Sequence, residues 1–343
     1  MKRWEGYEHG INFGGWLSQC DHTKERYDNF IKEEDFKTVK DWGLDHVRIP
    51  VDYNLVEDAD GNYKEDGFAY LNNCVAWCNK YGLNLIIDIH KTFGFSFDTG
   101  ENENGFFENE AYQERFYRLW ENLAARYGNI GKEVSFELLN EVTDKGYSDE
   151  WNRISTICIE RIRKIAPDVT ILIGGYWNNS LDALPDLLPP YDENVIYNFH
   201  CYEPMIFTHQ GAYWIPGMDT SFRVSIDTPC AKMKEIAEEM MGDMNGGFED
   251  LGGFEGPLSE AYFERYLEEG VKLAEKRNVR LYCGEYGVIN LATPEDTLQW
   301  YKLFGAVMQR HGIARAAWSF REMDYGLVDA HLDSVRPELL KYL

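Results

Sequence analysis

The chain has 343 residues, 44% hydrophobic and 27% charged, which is enough for one large barrel or two ordinary domains and too apolar for default disorder. Its formal charge of −25 repels nucleic acid and anionic membranes, so both are excluded as partners, while a neutral polymer is not. Ten Trp, 22 Tyr and 19 Phe supply core and also flat faces of the kind that stack on pyranose rings.

The opening MKRWEGYEHG has no apolar signal-peptide core, which leaves two compartments open: the cytoplasm, or export with a leader absent from this chain. No run is long enough to span a membrane. GINFGGW (10–16) reads as strand one. Residues 29–42, with Phe30, Ile31, Phe36, Val39 and Trp42 at three- and four-residue spacings, read as a helix stopped by Gly43. DHVRIP (45–50) is strand two, and Phe68, Leu71, Val75 and Cys78 mark a helix ended by Gly82. Cys74 and Cys78 share one face of it and read as buried thiols; the seven cysteines are scattered without a zinc-like pair.

NLIIDIH (84–90) is strand three, a continuous apolar run of the parallel-sheet kind. A Gly- and Asn-rich loop (94–109), a helix (110–127), strand four EVSFELLN (133–140), a helix from Trp151 to Ile165, strand five VTILIGG (169–175) and strand six NVIYNFH (194–200) follow. Residues 203–258 then break the rhythm: they are acidic and Gly-rich, hold six of the nine methionines, and contain a short helix over 231–241 that is expected to fill a small core of its own, with docking a partner as the alternative. Helix 259–277, strand seven VRLYCGE (279–285), a helix opened by a Thr293-Pro294-Glu295-Asp296 capping box, and strand eight IARAAWS (313–319) restore the order. Eight strands alternating with helices, without a Gly-rich phosphate turn after the first, predict an α/β (β/α)8 TIM barrel. Residues 1–343 form a single catalytic domain, with 203–258 inserted after strand six.

Chemistry in such barrels sits at the C-terminal strand ends. Strand two brings Arg48, strand three His90, strand four Asn140 and Glu141, strand six His200 and Tyr202, strand seven Glu285 and strand eight Trp318. Glu141 and Glu285 each close an apolar strand, and two facing carboxylates are the minimum equipment for glycoside hydrolysis. Glu137, also in strand four, reads as an outward or barrel-layer residue and not as a third catalytic acid. His9, His22, His46 and His209 need no chemistry. Trp16, Trp177, Phe207 and Trp214 are candidate cleft aromatics, each with core packing as its alternative, as is Tyr176.

Taken in order, HVRIP, DIH, LLNE, FHCY, GEYG and AAW resemble the family 5 glycoside hydrolases, the cellulase family. The nearest type is the small clostridial endoglucanase with an inserted subdomain after strand six. The resemblance runs from GINFGGW to strand eight. It implies Glu141 as general acid/base with Asn140 on the sugar 2-hydroxyl, Glu285 as nucleophile oriented by Tyr202 and held ionised by Arg48, and His200 against Glu141. It also implies His90 at the −1 sugar and Trp318 as that sugar's stacking floor. Val142 stands where many relatives have proline, and Lys91 where many have a second histidine, which puts the sugar contacts on the negative side in question.

The expected activity is a retaining endo-β-1,4-glucanase acting on β-1,4-linked or mixed-linkage β-glucan as a monomer, with no cofactor and no metal. A β-mannanase or glucomannanase and a non-catalytic glycan-binding barrel are the alternatives. A metal-dependent hydrolase would want a paired HxH on strand one, which is absent. A Schiff-base aldolase would want a lysine at a strand end, where Lys91, just past strand three, is the only candidate.

Overall fold

A computed structural model describes residues 2–98, 100–101, 103–242 and 251–343. Eight parallel strands close into one barrel in chain order. They are β1 (His9–Asn12), β2 (His46–Asp52), β3 (Asn84–Lys91), β4 (Val134–Glu137), β5 (Thr170–Ile173), β6 (Val195–Cys201), β7 (Arg280–Tyr286) and β8 (Ala314–Ala317). His9↔Arg315 pairing seals β8 onto β1. The strands are buried on both faces, which is why they read as continuous apolar runs. The (β/α)8 expectation holds.

Outside the strands lie α1 (Lys24–Asn29), α2 (Glu33–Asp41), α3 (Glu65–Tyr81), α4 (Glu110–Tyr127), α5 (Ser148–Arg163), α6 (Cys230–Met241), α7 (Glu260–Arg277) and α8 (Pro294–His311). Gly82 ends α3 in the left-handed region at φ 64°. Cys74 and Cys78 are buried free thiols on α3. Among the described residues no helix is long and apolar enough to cross a membrane.

The structure departs from the sequence reading in several places. The helix expected over 29–42 starts later, as α2 at Glu33, and a separate helix α1 ends at Asn29, because Phe30 and Ile31 turn into the core between them. Strand one ends at Asn12: Gly14 has no room for a Cβ, which would lie 2.6 Å from the Trp318 ring, and Gly15 turns the chain at φ +70°. Between β5 and β6 there is no regular α-helix, only a left-handed turn at Trp177–Asn179 and a 3-10 helix over Leu181–Asp186. Half of the capping box forms: Thr293 Oγ1 accepts from the Asp296 N–H at 3.1 Å, while the Asp296 carboxylate accepts instead from the Ile226 N–H at 3.3 Å.

That last contact ties the stretch after β6 to the barrel. Met218, Met233 and Met241 of this stretch are buried in the main core, not in a separate one; residues 243–250 of the expected 203–258 insertion lie outside the described residues. The barrel floor is an apolar layer of Ile86, Leu172, Ile196, Tyr282, Ala314 and Ala316, plugged by Trp4 and Tyr7.

Gly67 lies inside α3, where alanine would ordinarily raise stability by roughly 1 kcal/mol. A Cβ there would sit 1.9 Å from the Leu55 carbonyl oxygen. Gly67→Ala should therefore lower the unfolding free energy, by about 1–3 kcal/mol in urea titration. A gain would mean that the α3 contact with residue 55 is looser than described.

Candidate active site

Above the apolar floor the barrel interior becomes polar. Arg48, fully buried on β2, gives Nε and Nη2 to the two oxygens of Glu137 at 2.7 and 2.8 Å. Its Nη1 reaches Asn12 Oδ1 at 2.9 Å and Glu285 Oε1 at 2.8 Å, and its Nη2 reaches Asn140 Oδ1 at 2.9 Å and Asp88 Oδ2 at 3.0 Å. Glu137 also accepts from Asn198 Nδ2 at 2.8 Å. Of the two places strand four allowed it, outward or in the barrel layer, it takes the barrel layer, and its carboxylate anchors the guanidinium beneath the mouth.

Glu285 owes its aim to a bulge. Phe199 pairs with Cys283 but His200 pairs with Glu285, so Gly284 is passed over and the next side chain is turned inward. Only glycine fits at 284, because a Cβ would lie 2.6 Å from Asn198 Oδ1, which accepts the Gly284 N–H at 2.9 Å. Glu285 Oε2 accepts from the Tyr202 hydroxyl at 2.9 Å. Glu141, at φ 39°, leaves β4 in the left-handed region. Its Oε2 accepts from Asn178 Nδ2 at 3.0 Å, and its Oε1 lies 2.7 Å from His200 Nδ1. That same nitrogen is 3.6 Å from Glu285 Oε2.

One oxygen of each carboxylate and His200 Nδ1 all fall within 4.8 Å of one another, the one such cluster of potential metal ligands among the described residues. The Arg48 guanidinium, 2.8 Å from Glu285, sets a fixed cation beside this cluster, whose charge repels a divalent ion, so the set does not suit a metal centre.

Burial is the largest influence on both carboxyls and pushes each up to about 7. Their partners separate them. Glu285 alone is hydrogen-bonded by the guanidinium and the tyrosine, both of which favour its anion. The proton that the pair holds near neutrality therefore belongs on Glu141. Burial draws His200 down to about 4 and His90 well below the usual imidazole range, so both rings are neutral. Burial also lifts Tyr202 well above its ordinary value, which preserves it as a donor to Glu285.

His90 Nδ1 meets Asp88 Oδ2 at 2.5 Å, which orients the ring. The ring lies parallel to Trp318, 3° between planes and 5.9 Å between centroids. The eight residues expected at the mouth are thus brought together: His90, Asn140, Glu141, His200, Tyr202, Glu285 and Trp318 gather there, while Arg48, expected at a strand end, lies mid-strand beneath them because β2 runs on to Asp52. Of the candidate cleft aromatics, Trp177 stays at the mouth, half-buried beside Asn178, and Trp214 stays exposed, packed on His209 and Tyr325.

Trp16 and Phe207 do not stay there. Trp16 is wholly buried, edge-on to Phe13 and stacked with Trp77, because Gly15 turns it away from the barrel. Phe207 is wholly buried in the one-turn helix after β6. Sequence reasoning missed Asn12, Asp88, Asn178 and Asn198. Asp88 and Asn198 each stand two residues before a mouth histidine, and period-two alternation along β3 and β6 is the signal that could have found them.

The family model for cellulase (glycosyl hydrolase family 5) matches residues 7–324. The chain belongs to glycosyl hydrolase family 5. It is a retaining glycoside hydrolase of the cellulase type, a β-glucan hydrolase. Cellodextrinase A of Ruminococcus flavefaciens is 51% identical over 315 residues, covering 92% of this chain and 86% of that protein. Endoglucanase C of Acetivibrio thermocellus is 35% identical over 341 residues, covering 98% of each. Among solved structures, Thermotoga maritima Cel5A in complex with mannotriose superposes with a TM-score of 0.76 at 25% identity, covering 98% of this chain and 97% of that one.

Because burial raises the Glu141 carboxyl from 4.5 to about 7, the native protein keeps a proton in that window which the unfolded chain releases. Stability from this group is full below the unfolded value and is lost as pH rises through the folded one. Glu141→Gln removes the loss, so its melting temperature relative to the parent should climb by about 2–4 °C between pH 5 and pH 8 in scanning calorimetry. A constant difference would assign Glu141 an ordinary carboxylate pKa.

Proposed function

We propose that this family 5 hydrolase cuts β-1,4 bonds in cellodextrins and mixed-linkage β-glucan, internal bonds included, with Glu285 as nucleophile and Glu141 as general acid/base. The observation that carries the reading is the carboxylate pair: an oxygen of each within 4.8 Å, with the guanidinium and the tyrosine hydroxyl on Glu285 alone. That spacing leaves no room for the water an inverting enzyme places between carboxyls about 6.5–9.5 Å apart.

Glu285 attacks the anomeric carbon as Glu141 gives its proton to the departing oxygen, and a glycosyl-enzyme ester forms. The ester no longer carries the nucleophile's charge, so Glu141 becomes more acidic and takes a proton from the water that hydrolyses it. Asn140, held through Arg48, faces the 2-hydroxyl, and Trp318 underlies the −1 sugar beside His90. Trp177 and Trp214 are offered as stacking faces for further sugars. We take residues 1–343 as one catalytic domain, with 203–258 as an insertion in it, acting as a monomer. The names of the relatives, a cellodextrinase and an endoglucanase, favour β-1,4-glucan of short to moderate length. The mannotriose complex of Cel5A favours glucomannan as a second substrate.

Reducing-sugar release from cellotetraose, barley β-glucan and glucomannan tests the reading. Activity on the first two should fall by about a thousandfold or more in Glu285→Gln. Glu141→Gln should lose about 10²–10⁴-fold on these glycans and far less on aryl glycosides whose leaving group needs no proton. Equal loss on both kinds of substrate would remove Glu141 from the acid role, and activity confined to glucomannan would move the specificity. Tyr202→Phe removes a donor to the Glu285 anion. The acid limb of kcat/KM should therefore shift to higher pH and kcat should drop about ten- to hundredfold; an unmoved acid limb would count against that contact.

A further inference from the structure

We propose that Lys91 is a specificity-determining positioning residue: its buried ammonium clamps the acidic loop after β3 against the mouth, so that Phe97 and Asp98 wall the glycone sugar. The inference rests on the glycosidase reading above and goes beyond it in naming what shapes the non-reducing side of the cleft.

Lys91 is the last residue of β3. A register slip pairs it with Asp52 while Val51 pairs with Ile89, so His90 is passed over and Lys91 emerges beside the rim. Its side chain is only 5% exposed, yet its Nζ lies 2.9 Å from Asp98 Oδ2 and 2.5 Å from Glu101 Oε1. Burial opposes its charge, but Asp52, Glu101 and Asp98 outweigh that, so it remains an ammonium.

Residues 94–109 contain Asp98, Glu101, Glu103 and Glu108 and no Lys or Arg. This loop approaches a mouth that already holds Asp52, Glu141 and Glu285, and Asp98 is near enough to raise the Glu141 carboxyl. Without a cation between them, loop and mouth repel. Lys91 supplies that cation, aided by His22, which is held protonated by its bond to Asp52 and lies close enough to act on Glu101.

The clamp fixes a ring as well as a charge. Phe97 stands edge-on to His90 at 4.8 Å between centroids and 86° between planes, and the Lys91 Nζ is 5.8 Å from its centroid. Phe97, His90 and Trp318 thus form one continuous aromatic run beginning at the sugar floor. An aromatic ring with a carboxylate beside it suits a neutral sugar with equatorial hydroxyls: the ring face covers C–H groups and Asp98 accepts a hydrogen bond from a hydroxyl. The other end of the loop is pinned independently of Lys91. Glu103 accepts from the Gly94 N–H at 2.9 Å and from the Tyr53 hydroxyl at 2.7 Å, so losing the clamp should free the tip and not the whole loop.

The test is the steady-state kinetics of Lys91→Met and Lys91→Arg on 4-nitrophenyl β-cellobioside and β-cellotrioside, with 4-nitrophenyl β-mannobioside alongside and Glu285→Gln as the inactive control. Lys91→Met should raise KM for the glucosides about tenfold or more with kcat within about threefold of the parent, because it weakens sugar binding without touching the reacting groups. Lys91→Arg, which keeps the charge, should return KM to within about twofold of the parent. Asp98→Asn/Glu101→Gln cuts the clamp from the loop side and should reproduce the KM rise, including where Lys91→Met fails to fold. An unchanged KM in the clamp variants, or a fall in kcat alone, overturns the proposal. Parent activity on the mannobioside alone would overturn the glucan reading, and the same KM comparison on that substrate would still decide the role of Lys91.

Discussion

Everything at the mouth depends on one guanidinium shared among too many acids. Arg48 is wholly buried and lies within 3.0 Å of Asp88, Glu137 and Glu285, so one positive charge faces three carboxyls in a space closed to water. All three cannot be ionised cheaply there. Burial lifts Asp88 to about 7 and raises Glu137 as well, so the layer retains protons near neutrality. The guanidinium's geometry divides the anions: two nitrogens lock onto Glu137 below, and one nitrogen is left pointing up at Glu285. The same fork gives one hydrogen bond to Asn140, so the residue offered for the 2-hydroxyl and the residue offered for the anomeric carbon are set at a fixed distance by a single planar group.

Around that fork, absent side chains matter as much as present ones. Gly284 makes the bulge that turns Glu285 inward and leaves room for Asn198, which in turn supports Glu137. Gly14 leaves the space that the Trp318 ring fills. Asn12 stitches the seam, giving its amide to the Gly284, Ala316 and Ala317 carbonyls while its oxygen holds Arg48. Strands β1, β2, β7 and β8 are therefore held in register by the same polar layer that carries the carboxylates. The site and the closure of the barrel are one structure: Glu285 sits on the end of β7, and Glu141 just past the end of β4, where the barrel fixes the direction in which the chain leaves.

The loops differ from the strands in what holds them. The turn at Trp177–Asn179 brings Asn178 to Glu141 and Asn179 to His200, using left-handed backbone where other strand-to-strand connections in this barrel begin toward a helix. The stretch after β3 is held by charge, and the stretch after β6 is held partly by Asp296, drawn out of the helix cap it would otherwise complete. Cleft shape thus rests on a few polar contacts while cleft chemistry rests on the barrel, which is how one fold accommodates different glycans.

The sequence by itself determined the alternation of strands and helices, the strand-end set from Arg48 to Trp318, and the carboxylate pair. Each of these is written in local periodicity and in which residue terminates an apolar run. Only the tertiary structure decided which way the residues near those ends face. Counted by alternation from Tyr282, Glu285 would point out of the barrel; the slip at Gly284 turns it in, and that slip exists because of its partner strand. Trp16 and Phe207 read equally well as cleft or core, and long-range packing made them core. Lys91 read as a substitution for a sugar-contacting histidine, but its partners lie on a loop whose path no local pattern encodes. Periodicity fixes the face of an element in advance, whereas register, bulges and loop paths are settled by contacts between residues far apart in the chain.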